Sequence, residues 1–462
     1  MAGCMIAAPS SGSGKTMVVC GMLEALKRKG KNPLAFKCGP DYIDGQFHRQ
    51  VLGVEGGNLD SFFETPDQMR KKLAKAAIGH FVVAEGVMGY FDGLGGTELR
   101  ASSWEVADIL ELPVLLVVDA RGSSRSLSAQ IQGFLDYDTG GRPEKRNQIR
   151  GVILNKISPM LYPRIRDLIE REHSVPVVGY VPCLDFLQIS SRHLGLVLPE
   201  EIGGIREQLG RLADCLEETL DWERILELSE EADWELERRM PEEPAEAEPF
   251  CLAVARDEAF CFYYEDNLEA LARAGARLTY FSPLHDKMLP KGTQGLLLGG
   301  GYPENHGKAL AGNESLRVQI RQAAERGLPI LGECGGYLYL LEELEGADGK
   351  NYPMCGVLKG YGYRKGKNGR FGYISVSPFE DMPLLKQGEA IRGHEFHYWD
   401  STGFKDACVM EAVKPSGGRN WPCIRTRRRV MAGFPHLYYP SCPGFAERFA
   451  AWCRAYGKDG QI

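Results

Sequence analysis

Pro9-Ser-Ser-Gly-Ser-Gly14-Lys15-Thr16 lies between a short apolar run, Ile6-Ala-Ala, and an amphipathic stretch from Met17 to Lys29. A Gly-x-Gly-Lys-Thr sequence between a strand and a helix predicts a loop that binds phosphate. Further apolar runs alternate with helical stretches, as in a parallel sheet covered on both faces. These runs are residues 33–37, 81–85, 114–119, 151–155 and 175–179. The first half is therefore predicted to be an α/β domain of the phosphate-loop NTPase type.

The residues of this loop predict an ATP site. Gly12 and Gly14, with Ser13 between them, let backbone amides curl around phosphate oxygens, and the start of the helix adds partial positive charge. Lys15 is expected to bridge the β- and γ-phosphates, and the Thr16 hydroxyl to ligate Mg²⁺. A glycine-rich turn without nucleotide is the alternative, which the Lys-Thr ending disfavours.

Acidic residues at the ends of buried strands are expected to complete the metal site. Glu85 ends the strand 81–85, and Asp92 follows it in Glu85-Gly-Val-Met-Gly-Tyr-Phe-Asp92. A carboxylate at the carboxyl end of such a strand faces the ligand crevice. Glu85 is the better Mg²⁺ candidate and Asp92 the second; solvent-exposed acids are the alternative.

Two further segments are expected to line the nucleotide or substrate site. Lys37 begins Lys37-Cys-Gly-Pro-Asp41-Tyr42-Ile-Asp44 and can reach phosphate as a point charge. Asp41, Tyr42 and Asp44 are predicted to contact substrate, unless the segment is a plain turn. Asn155 ends its own strand and is placed to contact ATP through an adenine edge, although a turn asparagine is nearly as plausible.

The second half begins after an acidic, proline-rich stretch. Residues 223–248 are predicted to be a helix end and linker between a domain at 1–222 and one at 249–462. Alternation restarts there with apolar runs at 250–255, 277–281, 295–298 and 329–331. A second α/β domain is therefore predicted.

Cys334 lies between a predicted buried strand and a predicted helix in Leu331-Gly-Glu-Cys334-Gly-Gly. The flanking glycines permit the tight turn that exposes a nucleophile at a helix start. That helix start is expected to lower the thiol pKa. Backbone amides of Gly300, Gly301 and Gly335 are expected to stabilise an oxyanion. His394, His397 and His436 are all candidate bases, and spacing alone does not choose among them.

Bulk properties exclude several classes of protein. The chain of 462 residues has a net charge of −7, which disfavours nucleic acid as a partner. Its 13 cysteines form no C-x-x-C pair, so a zinc site or a redox dithiol is not expected. No run is apolar and long enough for a membrane span, and the N-terminus does not resemble a signal peptide. A cytoplasmic protein is expected, with a homodimer left open.

Six motifs together give a family resemblance. They are Gly-Pro-Asp-Tyr-Ile-Asp, Glu-Gly-Val-Met-Gly-x-Phe-Asp-Gly, the segment Ala255–Asn267, Leu-Gly-Gly-Gly-Tyr-Pro-Glu, Glu-Cys-Gly-Gly and Gly-His-Glu-Phe-His-Tyr. The chain resembles the cobyrinic acid a,c-diamide synthases, with a dethiobiotin synthetase-like first half and a class I glutamine amidotransferase second half. The resemblance implies Cys334 as nucleophile and His436 as its base. Tyr438 stands where most such glutaminases carry a glutamate that orients this histidine.

The resemblance implies ATP- and glutamine-dependent amidation of the a and c carboxylates of cobyrinic acid, a tetrapyrrole, with Mg²⁺. Hydrogenobyrinic acid a,c-diamide synthase, nickel-sirohydrochlorin a,c-diamide synthase and cobyric acid synthase remain as alternatives with the same chemistry. A nucleotide-gated scaffold ATPase with a vestigial glutaminase domain is the alternative from another class. The absence of an early loop lysine, where Ser10 and Ser11 stand, counts against it.

Overall fold

The computed structural model describes residues 2–137, 139, 147–187, 202–230, 247–366, 370–403 and 408–459. The chain forms two compact units, Met1–Arg239 and Met240–Ile462. Each unit is described by itself. Within the described residues, no helix combines the length and apolarity that a membrane crossing requires.

The first unit is built on one parallel sheet, as the alternating apolar runs predict. Its order is β3-β2-β4-β1-β5-β6-β7. The strands are β1 Ala2–Ala7, β2 Pro33–Cys38, β3 Gly56–Leu59, β4 Phe81–Glu85, β5 Val114–Asp119, β6 Ile149–Asn155 and β7 Val177–Val181. All residues of β4 and nearly all of β5 are buried, as expected of strands covered on both faces.

Helices of this unit connect the strands and bury their apolar sides. They are α1 Lys15–Arg28, α2 Ile43–Phe47, α3 Pro66–Ala76, α4 Ser103–Leu110, α5 Ser126–Asp136, α6 Tyr162–Glu172, α7 Ile202–Thr219 and α8 Trp222–Glu230. Apolar side chains of α1, α7 and α8 share one core cluster with the sheet. Helix α8 begins at the last residue of the predicted first domain and runs into the stretch predicted to be a helix end and linker, and its Trp222, Ile225 and Leu228 are buried. The rest of that linker, 231–246, lies outside the described residues.

The second unit contains a larger mixed sheet, ordered β21-β16-β15-β18-β19-β20-β11-β10-β8-β9. Its strands from β20 to β9 are parallel, and those from β21 to β20 are antiparallel. The strands are β8 Phe250–Ala255, β9 Ala276–Phe281, β10 Gly295–Leu298, β11 Ile330–Glu333, β15 Arg370–Pro378, β16 Ile391–His397, β18 Cys408–Val413, β19 Asn420–Arg427, β20 Val430–Gly433 and β21 His436–Leu437.

Four short strands form a second sheet, β13-β12-β14-β17, and helices complete the unit. The strands are β12 Glu343–Glu345, β13 Asn351–Pro353, β14 Tyr361–Arg364 and β17 Trp399–Ser401; the helices are α9 Glu265–Arg273, α10 Gly307–Gly312, α11 Glu314–Glu325, α12 Gly335–Leu340 and α13 Phe445–Asp459. The fold is α/β in both units, which confirms the predicted class. The antiparallel strands β15–β19 were not predicted.

The antiparallel part of the large sheet must curl back on itself. Strand β21 is five strand positions away from β20 in the sheet order, a separation of about 24 Å if the sheet were flat. Yet only Phe434 and Pro435 connect the two strands, and such a link spans at most about 11 Å. The curl therefore returns β21, which begins with His436, to the neighbourhood of β11 and β10.

Candidate active sites

The phosphate loop leaves β1 and enters α1 through two glycines with positive φ. Gly12 has φ +80° and Gly14 has φ +97°. A Cβ on Gly14 would lie 2.2 Å from Nδ2 of Asn155, whereas a Cβ on Gly12 would meet nothing within 4 Å. The same Nδ2 donates to the carbonyl of Ser13 across 2.8 Å. Asn155, predicted to contact ATP, thus lies against the loop itself and fixes its backbone.

Lys15 lies over this loop with its ammonium group held by carbonyl oxygens. Its Nζ donates to the carbonyl of Ser10 across 3.2 Å and to that of Met88. Burial lowers the pKa of Lys15 to about 8, and the positive charge of Lys37 contributes to the shift. An anionic phosphate at the loop would oppose both effects, so the geometry suits a nucleotide polyphosphate.

Glu85 ends β4 and is the centre of a buried charge cluster. Its Oε1 accepts from the Thr16 hydroxyl across 2.5 Å and from Lys37 Nζ across 2.8 Å. Lys37 also pairs with Asp44, at 2.6 Å. Burial alone would lower the pKa of Lys37, but Glu85, Asp44 and Asp41 outweigh it and raise that pKa. Lys37 is therefore a permanent cation next to the loop.

The second carboxylate oxygen of Glu85 fits a metal ligand. Oε2 is buried and has no hydrogen-bond partner among the described residues, and His48 Nε2 lies 4.0 Å away. Within the described part of the chain, no group of three or more His, Cys, Asp and Glu side chains could hold a metal ion. Mg²⁺ in nucleotide sites takes one or two protein oxygens and completes its shell with phosphates and water. The Thr16 hydroxyl and Glu85 satisfy that requirement.

A cavity of about 610 Å³ opens over these residues. Its lining includes Gly12, Gly14, Lys15, Thr16, Lys37, Asp41, Glu85 and Asn155 among the predicted residues. Ser13, Tyr42, Asp44 and Asp92 were also predicted but do not belong to that lining. Asp92 is exposed, and its Oδ2 accepts from the amide of Gly89 across 2.8 Å.

The cavity also has a wall that sequence reasoning missed. This wall comes from β7, the segment after it and α7, and its residues are Val181, Pro182, Leu184, Leu187 and Leu212. Apolar surface beside a phosphate site suits the flat face of a nucleobase. The only sequence signal was the apolar run that ends near Val181, which does not distinguish a ligand wall from core.

In the second unit, Cys334 occupies a strained turn between β11 and α12. Its φ is +49° and ψ is −103°, a conformation that costs of order 1–3 kcal/mol in a residue with a side chain. The amide of Cys334 donates to the carbonyl of Gly433 across 2.8 Å. A Cβ on Gly336 would lie 2.1 Å from the carbonyl oxygen of Leu298, so the helix start requires glycine there. This is the tight strand-to-helix turn that the glycines around Cys334 predict.

The glycines after β10 and the candidate base meet at this elbow. A Cβ on Gly335 would lie 3.1 Å from the backbone nitrogen of Gly301. A Cβ on Gly300 would lie 2.2 Å from Cε1 of His436. The structure thus brings together the glycine loop, the turn after Cys334 and the His436 imidazole.

The pKa of Cys334 shifts opposite to the expectation from its helix start. Burial raises the pKa of the thiol well above its usual value, and the Glu304 carboxylate raises it further, while the Gly335 amide opposes both. Burial is the largest of these effects, so the position at the start of α12 does not lower the pKa. The thiol therefore depends on a base for deprotonation.

His436 is the candidate base that lies next to the glycine loop at this elbow. Burial lowers its pKa to about 3, and His394 and His397 contribute. The imidazole is therefore neutral at physiological pH and able to accept a proton. His394 is its cross-strand partner on β16. His397 instead bonds the carbonyl of Trp399 and stacks on Phe434 at 4.0 Å.

Tyr438, in place of the usual glutamate, packs edge-on against Tyr264 at 5.5 Å between ring centroids. The next residue, Tyr439, donates its hydroxyl to the carboxylate of Glu333 across 2.9 Å. Burial raises the pKa of Glu333 to about 8, although the Tyr439 hydroxyl lowers it. The turn at Cys334 and the segment after His436 are therefore in contact, and this contact joins Glu333 to Tyr439 and does not involve Tyr438.

Comparisons with known proteins agree with this pair of sites. A family described as a CobQ/CobB/MinD/ParA nucleotide binding domain matches residues 4–196, and a CobB/CobQ-like glutamine amidotransferase domain matches residues 251–441. A protein of Caldanaerobacter subterraneus subsp. tengcongensis named cobyrinate a,c-diamide synthase is 37% identical over 98% of this chain and 99% of its own length. The chain belongs to the cobyrinate a,c-diamide synthase family.

Other relatives with the same name are similarly close. The protein of Listeria monocytogenes serotype 4b is 40% identical over 94% of this chain and 96% of its own length. That of Salmonella typhimurium is 36% identical over 97% of this chain and 98% of its own length. Membership of the cobyrinate a,c-diamide synthase family therefore covers both units, which confirms the resemblance drawn from the motifs.

Proposed function

We propose that this protein amidates the a and c carboxylates of cobyrinic acid, with ATP and glutamine as co-substrates. The observation that carries the proposal is the similarity over nearly the full chain to relatives named cobyrinate a,c-diamide synthase. The presence of both sites, a phosphate loop at Lys15 and a thiol elbow at Cys334, supports it. The protein is then a carbon–nitrogen ligase of the cobalamin pathway.

At the second unit, glutamine supplies ammonia. His436 takes the thiol proton as the Cys334 sulfur bonds to the side-chain carbonyl carbon of glutamine. The oxyanion is stabilised by backbone amides of Gly300, Gly301 and Gly335. His436 then gives its proton to the leaving amide nitrogen, the C–N bond breaks, and ammonia and a thioester result. Water hydrolyses the thioester to glutamate and restores the thiol.

At the first unit, a substrate carboxylate is activated. Its oxygen attacks the γ-phosphorus of ATP, so that an acyl phosphate forms and ADP leaves. Lys15 and Lys37 offset the phosphate charge, Asn155 keeps the loop in place, and Asp41, Tyr42 and Asp44 are the proposed substrate contacts. Thr16 and Glu85 would hold Mg²⁺, which, when bound, neutralises charge on the β- and γ-phosphates. Ammonia attacks the acyl carbon, and inorganic phosphate leaves.

The decisive experiment gives the purified protein ATP, Mg²⁺ and glutamine labelled with heavy nitrogen in its side-chain amide. Cobyrinic acid, hydrogenobyrinic acid, nickel-sirohydrochlorin and cobyrinic acid a,c-diamide are supplied in separate reactions. We expect mass spectrometry to find two labelled amides on cobyrinic acid. Labelling of another tetrapyrrole in its place would reassign the substrate, and the absence of glutamine hydrolysis would favour a scaffold ATPase.

A further inference from the structure

The segment between β8 and α9 carries a motif to which the proposed chemistry gives no role. This motif, Ala255–Asn267, ends in the first turn of α9 at Asn267, whose side chain is only 5% exposed. A buried amide side chain needs partners for its donor and its acceptor. The partners of Asn267 lie at the other end of the unit's sequence.

Asn267 bonds the backbone immediately after the candidate base. Its Nδ2 donates to the carbonyl of Leu437 across 2.7 Å, and its Oδ1 accepts from the amide of Tyr439 across 2.7 Å. The two bonds enclose Tyr438, the residue that replaces the usual glutamate. Asn267 therefore fixes the peptide groups that follow His436.

In the described structure, backbone pairing with one neighbouring strand holds this segment. Strand β21 consists of His436 and Leu437 and pairs with β16 at the edge of the sheet, and the amide of Tyr438 donates to the carbonyl of Arg392 across 2.8 Å. An edge strand of two residues has little hydrogen bonding of its own to fix a side chain. A pair of charge-free hydrogen bonds from a buried side chain is a strong additional constraint there.

The same motif also holds the opposite side of the glutaminase site. The Tyr263 hydroxyl accepts from the amide of Gly299 across 3.0 Å and donates to the carbonyl of Ala255. The amides of Cys261 and Phe262 donate to the carbonyl of Gly300 across 3.0 and 3.1 Å. One short segment thus anchors both the glycine loop and the base.

We propose that Asn267 is a positioning residue that sets His436 relative to Cys334, in place of the absent glutamate. The inference rests on the proposed roles of Cys334 and His436, and it adds an explanation of how the His436 imidazole is oriented. In most related glutaminases a carboxylate acts on the imidazole; here an amide acts on the peptide chain that carries it. Loss of the Asn267 side chain would therefore move the His436 imidazole and leave the protonation of that imidazole unchanged.

Asn313 provides a matched control. It is 2% exposed, lies in the same unit, and its Nδ2 donates to the carbonyls of Pro283 and Asp286 across 2.9 and 2.7 Å. Asn313 is thus an equally buried asparagine that bonds backbone away from the thiol elbow. A purely structural role for Asn267 would make the two residues behave alike.

The experiment compares the full-length protein with Asn267→Ala, Asn267→Asp and Asn313→Ala. Glutamine hydrolysis is measured across pH, together with the thermal midpoint of each variant. For Asn267→Ala we expect kcat to fall about 10- to 100-fold, because a base displaced by about 1 Å loses that much. KM and the pH profile should stay close to those of the unaltered protein. Asn313→Ala should lose similar thermal stability yet keep kcat within about twofold.

Asn267→Asp keeps the oxygen that accepts from Tyr439 but has a carboxylate oxygen in place of the Nδ2 group that donates to Leu437. We therefore expect this variant to fold and to have a lower kcat. If Asn267→Ala does not fold, the kcat of Asn267→Asp tests the proposal in its place. Full kcat in Asn267→Asp, or equal kcat in Asn267→Ala and Asn313→Ala, would overturn the proposal. Hydrolysis of glutamine needs no tetrapyrrole, so a failure to amidate cobyrinic acid would count against the proposed function alone.

Discussion

Tyr439 and Glu333 are joined by a buried hydrogen bond of 2.9 Å. Glu333 precedes the proposed nucleophile Cys334, and Tyr439 follows the proposed base His436 by three residues. Burial raises the pKa of the Glu333 carboxyl to about 8 from its ordinary 4.5. The carboxyl is therefore mostly protonated at neutral pH, and where it ionises its charge adds to the burial that raises the pKa of the Cys334 thiol.

This raised pKa predicts a dependence of stability on pH. Between about pH 5 and pH 8 the unfolded Glu333 is ionised while the folded one keeps its proton. The unfolded state then binds fewer protons, so the free energy of unfolding falls as pH rises through this window, by a few kcal/mol at most. Glu333→Gln cannot titrate, and its thermal midpoint should fall less over the same range. Parallel curves for both proteins would contradict the raised pKa.

Cys334→Ser separates the two reactions. Glutamine-dependent amidation should fall at least about 1,000-fold, because a serine hydroxyl is far less acidic and a far weaker nucleophile than a cysteine thiol. Amidation with added ammonium chloride should persist, since the ATP site is untouched. Cys355→Ser, at another buried cysteine of the same unit, is the control and should keep both activities. Loss of the ammonium-dependent reaction in Cys334→Ser would argue against two separate sites.

Gly12→Ala and Gly14→Ala distinguish strain from steric exclusion in the phosphate loop. Both positions have positive φ, which costs about 1–2 kcal/mol once a Cβ is present. Only Gly14→Ala also places that Cβ against Asn155. We therefore expect ATP affinity, measured by calorimetry, to fall about 10-fold in Gly12→Ala and much further in Gly14→Ala. Equal losses would mean that the Asn155 contact does not hold the loop.

Glu85→Gln and Asp92→Asn test which carboxylate binds Mg²⁺. Glu85 lines the cavity and has a buried oxygen without a hydrogen-bond partner in the described structure, whereas Asp92 is exposed and bonds Gly89. Glu85→Gln should lower ATP-dependent amidation about 100-fold and raise the Mg²⁺ concentration for half-maximal rate. Asp92→Asn should change the rate less than about threefold. The reverse order would assign the metal to Asp92.

Local sequence was sufficient for the features that depend on local backbone. The phosphate loop and the elbow are each encoded by glycines within a few residues of Lys15 and Cys334, because those turns need positive φ or a missing Cβ. Most of the parallel strands were predicted as apolar runs, although β20, Val430–Gly433, was not. Strand β3, Gly56–Leu59, was missed because it contains no such run.

The antiparallel strands and the supporting contacts were not predictable in the same way. In β15 and β16 buried and exposed residues alternate, so no continuous apolar run marks them. The contacts of Asn267 with Leu437 and Tyr439 join residues 170 and 172 positions apart. Neither partner contributes a side chain, so nothing in their identity signals the contact. The opposite shift of the Cys334 pKa likewise depends on burial, which spacing does not reveal.

The curl of the large sheet has a consequence for the timing of biosynthesis. A ribosome releases Cys334 about a hundred residues before His436, and β21 can dock only after β15, β16, β18 and β19 have formed the curl that receives it. A chain that still lacks β21 would carry the proposed nucleophile without its proposed base. Glutamine would therefore be spared from wasteful hydrolysis until the last strand of the sheet is in place.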